Sequence, residues 1–410
     1  MKKYLAAVGA AAVLMAPQAV GAEGFAINEW SAEGVAMGGA RMFAENDAAN
    51  VAYNPASITK VQGEAFKQSA VYISPHGKYK LFKDGSEIAG EPNKNVVHPA
   101  WVPGTYYVRQ INDKEWFGIG AFTRFGMISE FERNSTAATN AFMSKLLGIS
   151  ITPTYAHKFD NKWSAAVGAE INYVSLDLEK NAYNPQLGQV LGPTHTSGES
   201  TALGWNAAVN YAFDDKNEMG IVYRSEITHS MEATFKGYFP EAIGGYTERD
   251  AYGVVTLPDS WSIGYNHKFD DKTRVELNAT HTGWSSYDAL NIYIDGMPPS
   301  LNTKNWSDGW RYAIGAEHKL SDKYSVMAGF AYDESSIPYK GGDFIVPTGD
   351  RTTYSIGAQY HDEKQTVALS LAYMDIGGLD FAGHKTDGYD HASTHGNYAK
   401  VVGISYQYNF

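Results

Sequence analysis

The chain has 410 residues, with 45 Asp and Glu against 33 Lys and Arg, and no cysteine. The acidic balance argues against nucleic acid as a partner, and the missing thiols exclude disulfides and thiolate metal sites. Tyrosine (28) and tryptophan (9) are abundant, yet mean hydropathy is polar at −0.34, and beyond the N-terminus no apolar run approaches the roughly eighteen residues of a membrane-crossing helix.

Residues 1–22 read as an export signal. Lys2 and Lys3 give the positive start, Leu5 to Ala16 the apolar run, and Val20-Gly21-Ala22 a small-residue cleavage site. A membrane anchor is the alternative, but the run is too short to span. Residues 23–63 are rich in small side chains and lack two-residue alternation; they end in the turn signal Tyr53-Asn54-Pro55-Ala56-Ser57. A segment of this kind ahead of a long strand array is expected to sit as a plug inside it.

Residues 64–410 repeat one pattern, in which an alternating stretch meets a short charged turn and a second alternating stretch follows. The turns are Ile111–Lys114, Phe159–Lys162, Phe213–Lys216, Phe269–Lys272, Leu320–Lys323 and His361–Lys364. Asp and Asn suit such turns because their side chains bond nearby backbone groups. Seven longer polar connections alternate with them, at about 79–96, 133–147, 180–200, 237–252, 288–305, 335–350 and 377–396. Six short and seven long links join fourteen antiparallel strands, with both ends on the short-turn side. One-sided loop lengths and an even strand count follow the rules of outer-membrane barrels; a soluble β-sandwich accounts for the turns but not for the asymmetry. The expected fold is therefore all-β, a fourteen-stranded antiparallel transmembrane barrel with an N-terminal plug in its lumen.

The alternation has the sense that lipid requires. Leu203, Trp205, Ala207, Val209, Tyr211 and Phe213 share one face, with Asn206 and Asn210 on the other; Val367, Leu369, Leu371 and Tyr373 alternate with Thr366, Ala368 and Ser370. In lipid only a closed sheet satisfies every strand's hydrogen bonds. The chain ends with Ile404, Tyr406, Tyr408 and Phe410 in phase, and a terminal aromatic on such a strand resembles the signal read by the barrel-assembly machinery. Fourteen strands are wider than a barrel filled by its own side chains, so the lumen needs filling.

Gly24-Phe25-Ala26-Ile27-Asn28-Glu29-Trp30-Ser31, Gly38-Gly39-Ala40, and Asp47 to Val51 leading into Asn54-Pro55-Ala56 resemble the N-terminal hatch of the FadL-like proteins. The likeness continues in Phe117–Gly120 with Phe125-Gly126, in Leu257–Tyr265 and in the last strand. It implies an outer-membrane transporter, not an enzyme and without a cofactor, whose cargo is a long-chain fatty acid or another hydrophobic small molecule. Lipid bilayer and lipopolysaccharide are its expected surroundings. The family's route runs from a groove among the outer loops, through an apolar pocket, to a lateral gap at an inward kink of the third strand. On that basis Asn54, Pro55 and Ala56 are assigned to hatch anchoring or gating. Phe125 and Gly126 are assigned to the kink, expected within 122–130, where Gly126 marks either a bend or a close contact with the hatch.

Strand parity puts Arg124, Arg224, Arg274 and Arg311 in the lumen, facing Glu170, Glu226, Glu276 and Glu317. They are either contacts for a carboxylate or a self-paired interior network. In the loop 133–147, Phe142, Met143 and Leu146 fall on one face of a possible short helix, as a capture surface or simple loop packing. His384, His391 and His395, with Asp387 and Asp390, match no known metal spacing. A hydrolase would need a triad that no Gly-x-Ser-x-Gly elbow supplies here, His281 notwithstanding; a non-transporting structural barrel would need no hatch. Cargo choice between fatty acids and aromatic hydrocarbons lies in pocket shape.

Overall fold

The computed structural model describes residues 24–91, 97–385 and 387–410; the export signal read at 1–22 lies outside them. Fourteen strands form a closed antiparallel barrel. In order they are β1 (Glu64–Lys83), β2 (Ala100–Asn112), β3 (Glu115–Glu130), β4 (Met143–Lys158), β5 (Trp163–Asn184) and β6 (Gln189–Ala212). Next come β7 (Asn217–Arg224 and Ile227–Tyr238) and β8 (Tyr246–Leu257 and Ser260–Lys268), each in two segments. The ring continues with β9 (Thr273–Thr282), β10 (Gly309–Lys319), β11 (Tyr324–Asp333), β12 (Arg351–His361), β13 (Gln365–Ile376) and β14 (His391–Asn409). Closure comes from β14 pairing with β1, from Ala65↔Asn409 to Phe82↔His391.

The short turns repeat one device. Asp160 Oδ1 accepts from the N–H groups of Lys162 and Trp163 at 2.7 and 2.8 Å, and Asp214, Asp270 and Asp362 do the same for the residues two and three further on. A side chain that satisfies two backbone donors fixes a tight reversal with no other support.

At the other end, two expected loops are strands. β5 and β6 run on to a four-residue turn at 185–188, and β7 and β8 to a seven-residue one at 239–245. Their polar outward residues read as loop because, above the membrane, no lipid demands an apolar row. In the connection 283–308, Asn291–Ile294 adds a further strand to the edge of β8.

The wall's outer face is apolar where lipid lies. Leu203, Trp205, Val209, Phe213, Leu369, Leu371, Ile404 and Phe410 are exposed, while Asn206, Asn210 and Ser370 turn inward and are buried. Outward aromatics mark two levels. Tyr155, Trp163, Tyr265, Tyr324 and Tyr406 lie near the turns, and Trp101, Trp205, Trp261, Trp310 and Tyr373 nearer the loops, as in the girdles of membrane barrels.

Residues 24–63 bond to strands on several sides of the ring. They form α1 (Ala32–Ala36), capped by Ser31 through the N–H of Gly34, then α2 (Asn50–Tyr53) and a 3-10 turn, Pro55–Lys60. Helices this short have no stability of their own; the wall supplies it. Ala32 N–H donates to Ser405 of β14 at 2.8 Å, Ser355 of β12 donates to Ala36 O at 3.1 Å, and the N–H groups of Met42 and Phe43 reach Glu276 of β9. Glycines in the wall permit the approach: a Cβ at Gly315 would stand 2.7 Å from Met37 O.

Candidate transport site

The third strand breaks the pattern of the wall. β3 pairs with β2 from Asn112↔Glu115 to Gly104↔Phe122; beyond Phe122 its continuous ladder is with β4, and the chain ahead of β2 meets it again only at the single bridge Val97↔Ser129. Pro103, next on β2, has no N–H to contribute. From Phe122 to Ser129 every residue of β3 is buried, where a strand lying in the wall would alternate. Both faces of this stretch are covered. Its register with β4 slips between Thr123 and Phe125, so the bulge centres on Arg124, two residues before Gly126.

The freed edge of β3 is taken by the N-terminal segment. Ile27 N–H donates to Arg124 O and Gly126 N–H to Phe25 O, both at 2.9 Å, and Trp30 Nε1 donates to Thr123 O at 2.8 Å. Residues 25–27 thus stand where β2 would otherwise pair. Phe25 is fully buried among aromatic rings, with centroids 4.7 Å from Trp284, 5.4 Å from Tyr287 and 6.0 Å from both Phe125 and Trp306. These rings belong to one apolar cluster that climbs through Met127, Phe131 and Leu146 to Phe344, Phe381 and Tyr389 among the outer loops.

Beside Phe125 lies a cavity of about 60 Å³, lined by Ala26, Trp30, Tyr53, Arg124 and Arg224 among others. Two guanidiniums share one carboxylate there: Glu170 stands 3.2 Å from Arg124 and 3.7 Å from Arg224. Arg124 also donates to Ser225 O and Pro258 O, at 3.4 and 3.0 Å. Those carbonyls lie where β7 and β8 are interrupted, so the arginine at the bulge of β3 satisfies acceptors that the broken strands leave over. Arg224 in turn caps the C-terminal end of α2 through Ala52 O.

Sequence parity placed most of these groups, with two differences. Glu226 is exposed, because parity carried across the interruption at 225–226 fails by one. Arg311 pairs with Asp333 at 2.7 Å, and Arg274 with both Glu276 and Glu317. All four arginines are bound to carboxylates of the chain itself.

The amphipathic helix expected in 137–147 is absent. A 3-10 turn, Thr136–Thr139, is followed by β4 from Met143. Phe142 and Leu146 are buried and Met143 is half-buried against the same apolar cluster. The backbone of Phe142 bonds to Phe131 and Glu179 on its two sides, and that two-sided pairing makes a strand start, not a helix.

Asn54 precedes the 3-10 turn. Its Oδ1 accepts from Ala56 N–H at 3.1 Å, its Nδ2 donates to Asn210 Oδ1 at 2.7 Å, and Pro55 follows at the first helical position. Removing such a cap and stranding its partner should cost about 1–2 kcal/mol. Asn54→Ala is expected to lower the urea midpoint in lipid vesicles while keeping the heat-dependent gel shift of a folded barrel.

Two outer-loop groups stand apart. Lys304 and Asp343 form a fully buried ion pair; burial alone would raise the carboxyl's pKa, and the ammonium more than offsets it, holding Asp343 below its ordinary value. His384 lies 3.2 Å from Asp387, but His391 sits instead 4.0 Å from Asp380. Among the described residues no set of His, Asp and Glu is placed to hold a metal ion.

A closed sheet with lipid-facing rows places this chain among integral outer-membrane β-barrels, and its kin are transport proteins, not enzymes. It belongs to the outer membrane protein transport protein family (OMPP1/FadL/TodX), whose model matches residues 12–410. It is 27% identical over 412 residues to the long-chain fatty acid transport protein of Escherichia coli K12, covering 90% of this chain and 91% of that one. It is 28% identical over 467 residues to outer membrane protein P1 of Haemophilus influenzae, covering all of both. A Pseudomonas aeruginosa FadL homologue shares the fold with a TM-score of 0.84 at 19% identity, over 94% of this chain and 100% of that one. The Pseudomonas putida toluene transporter TodX does so at 0.71 and 17%, over 95% and 100%.

Proposed function

We propose that this protein admits long-chain fatty acids or similar hydrophobic compounds across the outer membrane and releases them sideways between β2 and β3. The observation that carries this reading is the parting of those two strands at Phe122, at the foot of an apolar column that reaches the outer loops. Phe142, Met143 and Leu146 belong to the upper part of that column and receive the ligand. Residues 24–63 act as the hatch, anchored through Asn54, Pro55 and Ala56.

The cavity beside Phe125, about 60 Å³, is small against the roughly 300 Å³ and more that ligand pockets offer. A long chain enters by displacing Phe25 from its aromatic cage. Because Phe25 and Ile27 also bond the free edge of β3, displacing the ring loosens the segment that covers the gap. A water-insoluble cargo then meets lipid without crossing a polar channel. Arg124 and Arg224, two cations on one carboxylate, leave a positive balance suited to an acidic headgroup. That balance favours fatty acids over neutral aromatic hydrocarbons such as toluene, for which TodX is a transporter.

The test is uptake of radiolabelled oleate, with toluene in parallel, in a host lacking its own transporter. Gly126 lies in a stretch buried on both faces, where an added valine side chain overpacks its surroundings, a strain worth a factor of roughly ten. Gly126→Val is therefore expected to cut oleate uptake about tenfold in a barrel that still shows its gel shift. Wild-type uptake by that variant would remove the lateral route, and toluene uptake alone would keep the route and change the cargo.

A further inference from the structure

The outer wall carries its charge unevenly at and just above the upper aromatic level. On β14 and β1 the outward residues, in rising order, are Lys400 opposite Ser74, Tyr398 opposite His76, His395 opposite Lys78, and Ser393 opposite Lys80. Below them the same faces are apolar, with Tyr72, Leu371, Val402 and Ile404 turned to lipid. The ring of Tyr398 stacks between His76 and Tyr373, with centroids 5.0 and 5.9 Å away, and the ammonium of Lys400 lies 6.0 Å from its centre.

Lys80 is spoken for by Glu87 at 3.1 Å. Among the described residues, Lys78 and Lys400 have no carboxylate within ion-pair distance; the acid on the neighbouring strand, Asp375, stands opposite Tyr398. The far wall has the reverse sign. Above Trp205, Glu199 faces Glu232 directly across neighbouring strands, and both line an outward groove of about 980 Å³ with Asp177 and Asp250. That groove has room for a headgroup and the wrong charge for a phosphate.

We infer that the β14–β1 face is a seat for lipopolysaccharide, with the two phosphates of its acylated disaccharide held by Lys78 and Lys400. From Ser74, the partner of Lys400, to Lys78 is four residues, or about 13 Å along the strand, a span suited to two phosphates on one disaccharide. The acyl chains lie on the apolar rows beneath, and the stacked rings of His76, Tyr398 and Tyr373 form the floor under the sugar. This inference rests on the outer-membrane location alone and stands whether or not the uptake reading does.

The experiment measures binding of bisphosphorylated lipid A to the delipidated barrel in neutral detergent, by native mass spectrometry and a fluorescence titration. Each lysine at an anionic surface is worth close to a factor of five, so the Lys78→Gln, Lys400→Gln double variant should bind roughly 10- to 30-fold more weakly. Lys236→Gln, on the acidic wall, should bind as the parent does. Added salt and loss of one phosphate from the lipid should each weaken the parent more than the double variant. Undiminished binding by the double variant overturns the site. Equal binding of phosphatidylglycerol, or displacement by inorganic phosphate at similar concentration, overturns lipopolysaccharide as its occupant. Lys400→Gln alone, at an exposed position, serves if the double variant fails to assemble.

Discussion

Lys67→Met is expected to weaken the hold of the barrel on residues 24–63 by about 3–5 kcal/mol. Lys67, on the inner face of β1, places its ammonium 2.8 Å from Glu33 and 2.8 Å from Asp47, and all three groups are buried. Asp47 is shared with Arg41, which also reaches Glu317 of β10 at 3.2 Å. Methionine fills similar space but leaves Glu33 with no cation and Asp47 with half its compensation. An uncompensated charge away from water costs several times what a surface pair is worth. Hydrogen exchange is the direct readout: amides of 32–53 should lose protection while those of the strands keep theirs. Adding Glu33→Gln should restore most of that protection, since the second change removes the stranded charge. Unaltered exchange in Lys67→Met would mean the network is not what holds the segment.

Glu170→Leu should be as damaging, and its effect should reach the wall. Glu170 is fully buried and is the carboxylate paired with both Arg124 and Arg224; it also accepts from Ser150 at 2.6 Å. Without it two guanidiniums remain together in the lumen. Arg124 can relieve the repulsion only by leaving Ser225 O and Pro258 O, which strands the carbonyls at the interruptions of β7 and β8. The expected loss is about 3–5 kcal/mol, read as a fall in the urea midpoint of the vesicle-inserted barrel. Glu170→Gln keeps a partner for Ser150 and should lie between. Arg124→Met added to Glu170→Leu should recover part of the loss. A Glu170→Leu barrel within about 1 kcal/mol of the parent would contradict the shared-carboxylate account.

Much of this architecture was legible in the chain because lipid imposes a simple rule. Wherever a strand crosses the apolar layer, outward residues such as Leu203, Val209 and Leu369 must be hydrophobic, and the count of Asp-bearing turns then gives the strand count. The rule stops at the membrane surface, which is why the upper ends of β5, β6 and β8 read as loops. It also stops at irregularities. Parity placed Arg124, Arg224, Glu170 and Glu276 inward correctly, then misplaced Glu226, because an interruption shifts the face by one and carries no hydrophobic mark. Phe142, Met143 and Leu146 satisfied a helical period over too few residues to exclude a strand, and the pairing that decided the matter comes from Glu179, far along the chain. The parting of β2 and β3 did have a signal, Pro103, whose missing donor sits one residue beyond the last pair.

The seam between β14 and β1 closes the ring, and it also grips what the ring encloses: Ser405 and Gln407 on β14 accept from Ala32 and Ala48. β14 follows every other strand along the chain, and residues 24–63 precede them all. The same segment also bonds β9 and β12, so contacts made at the seam are shared with strands elsewhere in the ring. β14 therefore registers the presence of residues 24–63 in the same contacts by which it finishes the wall. An empty barrel would close on fewer bonds than a filled one, and assembly would favour the finished article over the hollow one without any separate inspection.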